Sequence, residues 1–264
     1  MKILKPNLNL DLFNEKLSAA ALRILLLDYD GTLAPFTEER MAAVPYPGIE
    51  DLISRIGVLD RCRVIIISGR KIEDLLKLVR FETMPELWGC HGWERLSPGE
   101  KYIARDVGTD VKLFLGKASE YAMNNGLSDR FERKPVSIAF HWRGGEPGLE
   151  NKITTMIHSD LLTAAVDAGL EMRRFSGGIE LIASGVNKGR AVDSILDEYG
   201  RDAVTAYLGD DNTDEDAFAA LGERGLSVLA CRELHATGAD IWIRPPEELL
   251  TFLENWADTC GAGK

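Results

Sequence analysis

The stretch Leu25-Leu26-Leu27-Asp28-Tyr29-Asp30-Gly31-Thr32-Leu33 decides how the rest of the chain is read. Behind Arg23, the apolar residues Ile24 to Leu27 run without a break and stop on two acids. A short apolar run bounded by turn residues fits a strand of a parallel sheet covered on both faces. In open α/β sheets ligands bind beyond the carboxyl ends of the strands, which puts Asp28 at the mouth of a site. If the chain stays extended, Asp30 faces the same way two residues on, before Gly31 and Thr32 turn the backbone. Asp-Gly is also an ordinary loop signal, so other strand ends have to decide between the two readings.

Two of them do. Val64-Ile65-Ile66-Ile67 is a strand of the same kind, ending on Ser68-Gly69-Arg70 and followed by a helix-like stretch from Lys71 to Arg80. Ala206-Tyr207-Leu208 is a third, ending on Gly209-Asp210-Asp211-Asn212-Thr213-Asp214-Glu215-Asp216. If neighbouring parallel strands present these ends, Asp28, Asp30, Asp210, Asp211 and Asp214 converge, and so many carboxylates need a cation among them. All-oxygen ligands, with no His or Cys in the three stretches, point to a hard cation such as magnesium. Asp210, Asn212 and Asp214 also fall on the first, third and fifth positions of an EF-hand. That reading fails at the sixth, Glu215 where glycine is required, and at the twelfth, Leu221 where a bidentate glutamate should stand. Thr213 or Asp214 can in addition cap a helix that continues through Asp216 to Leu221.

In order and spacing, Asp28 to Leu33, Ser68-Gly69-Arg70, Lys188 and Gly209 to Glu215 resemble the four motifs of the haloacid dehalogenase-like phosphatases. Within that superfamily the chain is most similar to the trehalose-6-phosphate phosphatases. The similarity runs through Asp28 to Pro35, His91-Gly92-Trp93-Glu94, Glu132-Arg133-Lys134, His141-Trp142-Arg143 and Asn187-Lys188-Gly189, and extends from about Ile24 to the C-terminus. The resemblance implies an Mg2+-dependent hydrolysis of a sugar phosphate, most simply trehalose 6-phosphate. Asp28 would attack phosphorus to give an aspartyl-phosphate. Asp30 would protonate the leaving oxygen and then activate water. Asp28, the backbone carbonyl of Asp30, and Asp210 would hold the metal, with Asp211 and Asp214 orienting its water and Lys188. Ser68 and Thr32 would hydrogen-bond the phosphoryl group, and Lys188 would offset its charge. Arg70, His91, Glu94, Glu132, Lys134, His141, Arg143 and Glu180 are the implied substrate-binding residues. Ala183 stands where the family often has proline and Trp142 where it often has tyrosine. Both adjoin the sugar site, so sucrose 6-phosphate and glucosyl- or mannosyl-3-phosphoglycerate remain alternatives.

Composition sets the outer bounds. The chain has 264 residues, 45% hydrophobic and 28% charged, as an ordinary globular protein does. A formal net charge of -11 argues against nucleic acid or an anionic membrane as partner. No apolar run approaches the ~20 residues of a membrane span, and the N-terminus lacks the layout of a secretory signal, so a cytoplasmic protein is expected. Cys62, Cys90, Cys231 and Cys260 show no close pairing that would suggest zinc or a redox dithiol. No glycosyltransferase domain fits the length, so any synthase is expected to be a separate chain, and the phosphatase is expected to act as a monomer.

The expected fold is α/β, a doubly wound, Rossmann-like parallel sheet with an inserted α+β cap. Residues 1–104 and 184–264 form the core. Between them the rhythm changes to helix-strand-strand, twice over: Val111 to Asn124, Arg130 to Lys134 and Val136 to His141, then Leu149 to Ala168, Leu170 to Arg174 and Ile179 to Ala183. In the phosphatases that this chain resembles, an insert at 105–183 is a cap that reads the substrate and excludes water. Period-two spacing puts Glu132 with Lys134, and His141 with Arg143, on common faces, as solvated sheet faces also do. His158 and His235 read as structural. Two other classes stand beside the phosphatase: a phosphomutase would use the same Asp28 but needs strict exclusion of water, and a silent sugar-phosphate sensor would have lost Asp28, Asp30 or Lys188.

Overall fold

The computed structural model describes residues 1–37, 39–99, 102–200 and 202–261. Lys101, at the start of the expected return strand, lies outside them. In chain order the first part holds β1 (Lys2–Ile3), α1 (Leu10–Ala19), β2 (Arg23–Leu27), α2 (Ile49–Gly57), β3 (Cys62–Ile67), α3 (Ile72–Leu78), β4 (Glu86–Gly89), β5 (Glu94–Leu96) and β6 (Ile103–Ala104). The middle holds α4 (Thr109–Asn124), β7 (Phe131–Arg133), β8 (Ser137–His141), α5 (Leu149–Met156), α6 (Leu162–Asp167), β9 (Leu170–Phe175) and β10 (Gly178–Ala183). The last part holds α7 (Lys188–Tyr199), β11 (Val204–Gly209), α8 (Asn212–Leu221), β12 (Gly225–Ala230), β13 (Ile241–Ile243) and α9 (Glu247–Gly261). The chain divides into two compact units, Met1–Ile103 with Asn187–Lys264, and Ala104–Val186.

In the first unit the strands lie in the order β1-β13-β12-β11-β2-β3-β4-β5-β6. From β13 to β4 every pairing is parallel. All five residues of β2 are buried, as an unbroken apolar run requires of a strand covered on both faces. Leu25 and Leu27 pack with Leu17 of α1, Ile49, Ile53 and Ile56 of α2, and Leu249, Leu253 and Trp256 of α9. Ile24 and Leu26 join the opposite cluster, with Val192 and Ile195 of α7 and Phe218 and Leu221 of α8. Alternation along one strand thus supplies two cores, which is what a doubly wound sheet needs.

Two edges depart from the parallel pattern. The dipeptide β1 adds antiparallel to β13. After β4 the chain reverses at once, because Cys90, His91 and Gly92 all take left-handed backbone angles, and β5 returns antiparallel to β4.

The second unit is a four-stranded antiparallel sheet in the order β7-β8-β10-β9. The helix expected from Leu149 to Ala168 is a continuous run with one wide π turn at Ile157–Leu161. Alternation sorts the sheet by face. Ile138, Phe140, Ile179 and Leu181 are fully buried on one side. On the other side, Glu132, Ala139, Glu180 and Arg173 form one cross-strand row.

Because Leu26 is buried against both α7 and α8, Leu26→Ala is expected to cost about 2–5 kcal/mol. Urea unfolding checks it, as a lower midpoint at unchanged slope.

Candidate active site

Three strand ends meet at the carboxyl edge of the sheet. Asp28 N–H donates to the Leu208 carbonyl at 2.8 Å and extends the β2–β11 ladder by one residue. Ser68 N–H does the same to Trp88 at 2.8 Å, and Asp210 follows directly on β11. The chain turns after Tyr29. Tyr29 turns into the core and its hydroxyl donates to the Ala43 carbonyl at 2.7 Å, while its own carbonyl accepts from the N–H groups of Leu33 and Ala34 at 2.9 and 3.0 Å. Tyr29 lies in the same apolar cluster as Leu25 and Leu27, as the alternation of an extended strand requires. The Asp30 carboxylate runs to Arg70, with Nε to Oδ2 at 2.7 Å and Nη2 to Oδ1 at 2.6 Å. Gly31 makes the turn possible: its φ is +89°, and a Cβ there would lie 2.1 Å from Asp210 Oδ2.

Lys188 is the first residue of α7, whose cap, Asn187, accepts from Arg190 N–H at 2.8 Å. That start aims the buried lysine inward, and its Nζ donates to Asp28 Oδ1 at 2.5 Å and Asp214 Oδ1 at 2.8 Å. Asp214 is wholly buried and fully engaged. Oδ1 also accepts from the Tyr207 hydroxyl at 2.6 Å, and Oδ2 from the N–H groups of Asp210 and Asp211 at 3.1 and 3.2 Å. The cap of α8 is Asp211, not Thr213 or Asp214. Asp211 Oδ1 accepts from Thr213 N–H at 2.7 Å and its hydroxyl at 2.8 Å, and Asp214 closes the capping box from the third position.

Carboxylate oxygens of Asp28, Asp210 and Asp214 lie within 4.8 Å of one another, all buried. Lys188 sets one positive charge against these three acids. Burial pushes the Asp28 carboxyl up to about 8, with Lys188 pulling it down and Asp214 pushing it further up. Burial, then the charges of Asp28 and Asp214, hold Asp210 well above the carboxylate range. Burial would pull the Lys188 ammonium down, yet Asp214 and Asp28 keep it above its ordinary value. Hard oxygen donors with negative charge left over fit a small divalent cation of the magnesium type. Asp28 and Asp210 are placed to hold it, whereas Asp214 is occupied with Lys188 and the head of α8. Close by in sequence, the buried Thr32 hydroxyl lacks a hydrogen-bond partner among the described residues.

The remaining candidates fall into two groups. At the second strand end, Ser68 Oγ accepts from Arg70 N–H at 3.1 Å. The His91 ring lies against Gly69, where a Cβ would come within 2.8 Å of Cε1. Glu94 is buried and accepts from Ile72 N–H at 2.8 Å, at the head of α3. In the second unit, Lys134 Nζ donates to Glu180 Oε1 at 2.9 Å, the Ser137 hydroxyl donates to the same oxygen at 2.6 Å, and Glu132 stands 3.9 Å from Lys134 and 4.0 Å from His141. Arg143, past the end of β8, donates to the Ser176 carbonyl and, at 3.0 Å, to its hydroxyl.

Ser137, which donates to Glu180, escaped the sequence reading, and so did two further residues. Tyr207, which tethers Asp214, is signalled by a phenol between Ala206 and Leu208, three residues before the acidic run. Arg173 completes the polar row opposite Glu180, and only the strand register reveals it.

A family model described as trehalose-phosphatase matches residues 26–235. An α,α-trehalose-phosphate synthase of Dictyostelium discoideum is 28% identical over 257 residues, covering 94% of this chain and 32% of its own length. A trehalose-phosphate phosphatase of Mycobacterium ulcerans is 28% identical over 220 residues, covering 78% and 53%. The chain therefore spans about a third to a half of these curated relatives. Among solved structures, the C-terminal domain of a C. albicans trehalose-6-phosphate phosphatase superposes with a TM-score of 0.79 at 23% identity, over 99% of both chains, a likeness of fold. A trehalose-6-phosphate phosphatase related protein gives 0.73 at 25% identity, over 91% of this chain and all of its own. Among the described residues no helix is long and apolar enough to cross a membrane.

A cation that binds the folded site stabilises it by about 2.7 kcal/mol at a hundredfold excess over its Kd. Mg2+ is therefore expected to raise the thermal midpoint measured in chelator. Asp210→Asn should raise the chelator midpoint by removing a carboxyl group whose ionisation burial penalises, and should lose most of the Mg2+ increment. An unchanged increment would show that Asp210 holds no cation.

Proposed function

The chain belongs to the trehalose-phosphatase family, and from that premise we propose that it hydrolyses trehalose 6-phosphate to trehalose and phosphate through a phosphorylated Asp28. The observation that carries the reading is the buried contact of Asp28 with Lys188 at 2.5 Å, at a strand end shared with Asp210. Phosphate monoesters hydrolyse so slowly unaided that enhancements reach on the order of 10^21, which favours a route through a protein nucleophile.

Asp28 attacks phosphorus with one oxygen, while Lys188 favours its ionised form and faces the charge that builds on the phosphoryl group. Asp214 and Tyr207 fix Lys188 in that position. Thr32, through its unspent hydroxyl, and Ser68 donate to the phosphoryl oxygens. Asp30 gives its proton to the leaving sugar oxygen, then takes one from the water that cleaves the acyl phosphate. Asp28, Asp210 and the Asp30 carbonyl would hold Mg2+, which when bound would offset charge on the phosphoryl oxygens. Arg70, His91 and Glu94 brace the strand end from which Ser68 acts. Sugar recognition is assigned to Glu132, Lys134, His141, Arg143 and Glu180 of the inserted unit, residues 105–183, because polar side chains gathered on one sheet face match an array of hydroxyls.

Phosphate release with Mg2+, with and without chelator, is to be compared across trehalose 6-phosphate, sucrose 6-phosphate, glucose 6-phosphate and the glycosyl-3-phosphoglycerates. A chelator-sensitive preference for trehalose 6-phosphate is expected, and uniformly poor sugars beside a good aryl phosphate would overturn the specificity. Asp28→Asn is expected to lower kcat by at least about 10^3-fold, as loss of a nucleophile does; near-normal turnover would refute its role. Glu180→Gln is expected to cost the disaccharide phosphate about tenfold or more in kcat/KM and to spare a small aryl phosphate. Equal losses on both would remove the inserted unit from recognition.

A further inference from the structure

We propose that Arg70 is a positioning residue, whose guanidinium fork sets the Asp30 carboxylate in the orientation that proton transfer requires. The inference rests on the phosphatase reading above and adds a residue that acts without touching the sugar or the phosphoryl group.

The geometry is that of a clamp. Nε and Nη2 of Arg70 each take one oxygen of Asp30, at 2.7 and 2.6 Å. A two-point fork fixes both the place and the plane of a carboxylate, which a single hydrogen bond or a lysine cannot do. Arg70 is itself immobilised. Its backbone N–H donates to Ser68 Oγ at 3.1 Å, its carbonyl accepts from Cys90 N–H at 2.7 Å, and its guanidinium carbon lies 5.7 Å from the centre of the Tyr29 ring. Tyr29 is pinned in turn through its hydroxyl to Ala43. The clamp is thus built into the core, whereas Asp30 sits on a turn and is 28% exposed.

Direct substrate binding by Arg70 fits these facts poorly. Its side chain is 4% exposed, two of its three nitrogens are spent on Asp30, and the third, Nη1, is buried. Asp30, by contrast, has an open side and must serve two steps, giving a proton and then taking one. A carboxylate on a turn, left to its own rotamers, loses that alignment, and misplacement by about 1 Å can cost on the order of 10^2 in rate.

The test is a double-mutant cycle on the full chain with Mg2+ and trehalose 6-phosphate. Arg70→Lys keeps the charge and removes the fork, Arg70→Ala removes both, and each is combined with Asp30→Asn. Thermal midpoints are read beside the kinetics, so that Arg70→Lys serves if Arg70→Ala fails to fold. Arg70→Lys is expected to lower kcat about 10- to 100-fold with KM within about twofold, and to have no further effect once Asp30 is asparagine. Losses that multiply in the double variant, or a raised KM at unchanged kcat, would overturn the proposal and make Arg70 a binding group. Absence of phosphate release by the parent enzyme would overturn the phosphatase reading itself, a result separate from either outcome of the cycle.

Discussion

A buried ammonium held between two carboxylates is the constraint on which the rest of this structure depends. Lys188 binds Asp28 and Asp214 in a space where unpaired charge costs several kcal/mol. The three charged groups come from the start of α7, the end of β2 and the first turn of α8, so none of those elements can shift without leaving a buried charge alone. Asp214 is tied down by Tyr207 and by two backbone N–H groups, which converts the acidic run after β11 into a rigid helix head. The site is therefore rigid where charge must be met and still negative where a cation can enter.

Much of this was legible in the amino acids, for a physical reason. Apolar runs such as Ile24 to Leu27 and Val64 to Ile67 have few ways to bury every side chain other than as inner strands, and an inner parallel strand must present its next residue at the ligand edge. Asp28, Ser68 and Asp210 were placed by that logic, and Lys188 by resemblance to a family motif. The polar face of the inserted sheet was legible in part, since alternation alone pairs Glu132 with Lys134.

What could not be read depends on groups far apart in the chain. The Asp30 carboxylate is met by a fork from Arg70, forty residues on, and Tyr29 beside it is pinned to the Ala43 carbonyl. Three of the residues at the head of α8 could each have capped it; Asp211 does so because Asp214 is drawn inward by Lys188 and Tyr207. The reversal into β5 needs left-handed angles at Cys90 and His91, a conformation uncommon outside glycine. Strand β1 is two residues long and exists because β13 offers an edge.

The order in which the chain is made carries one more consequence of the distance between Asp28 and Lys188, 160 residues apart. When the first hundred residues have left the ribosome, β2 and β3 can pair, but β11 does not yet exist. One long side of β2, apolar on both faces, then has its N–H and C=O groups open while the whole inserted unit is still being synthesised. An unpaired apolar edge is a template for adhesion between chains. The insert lengthens that vulnerable interval, and the arrival of β11 ends it.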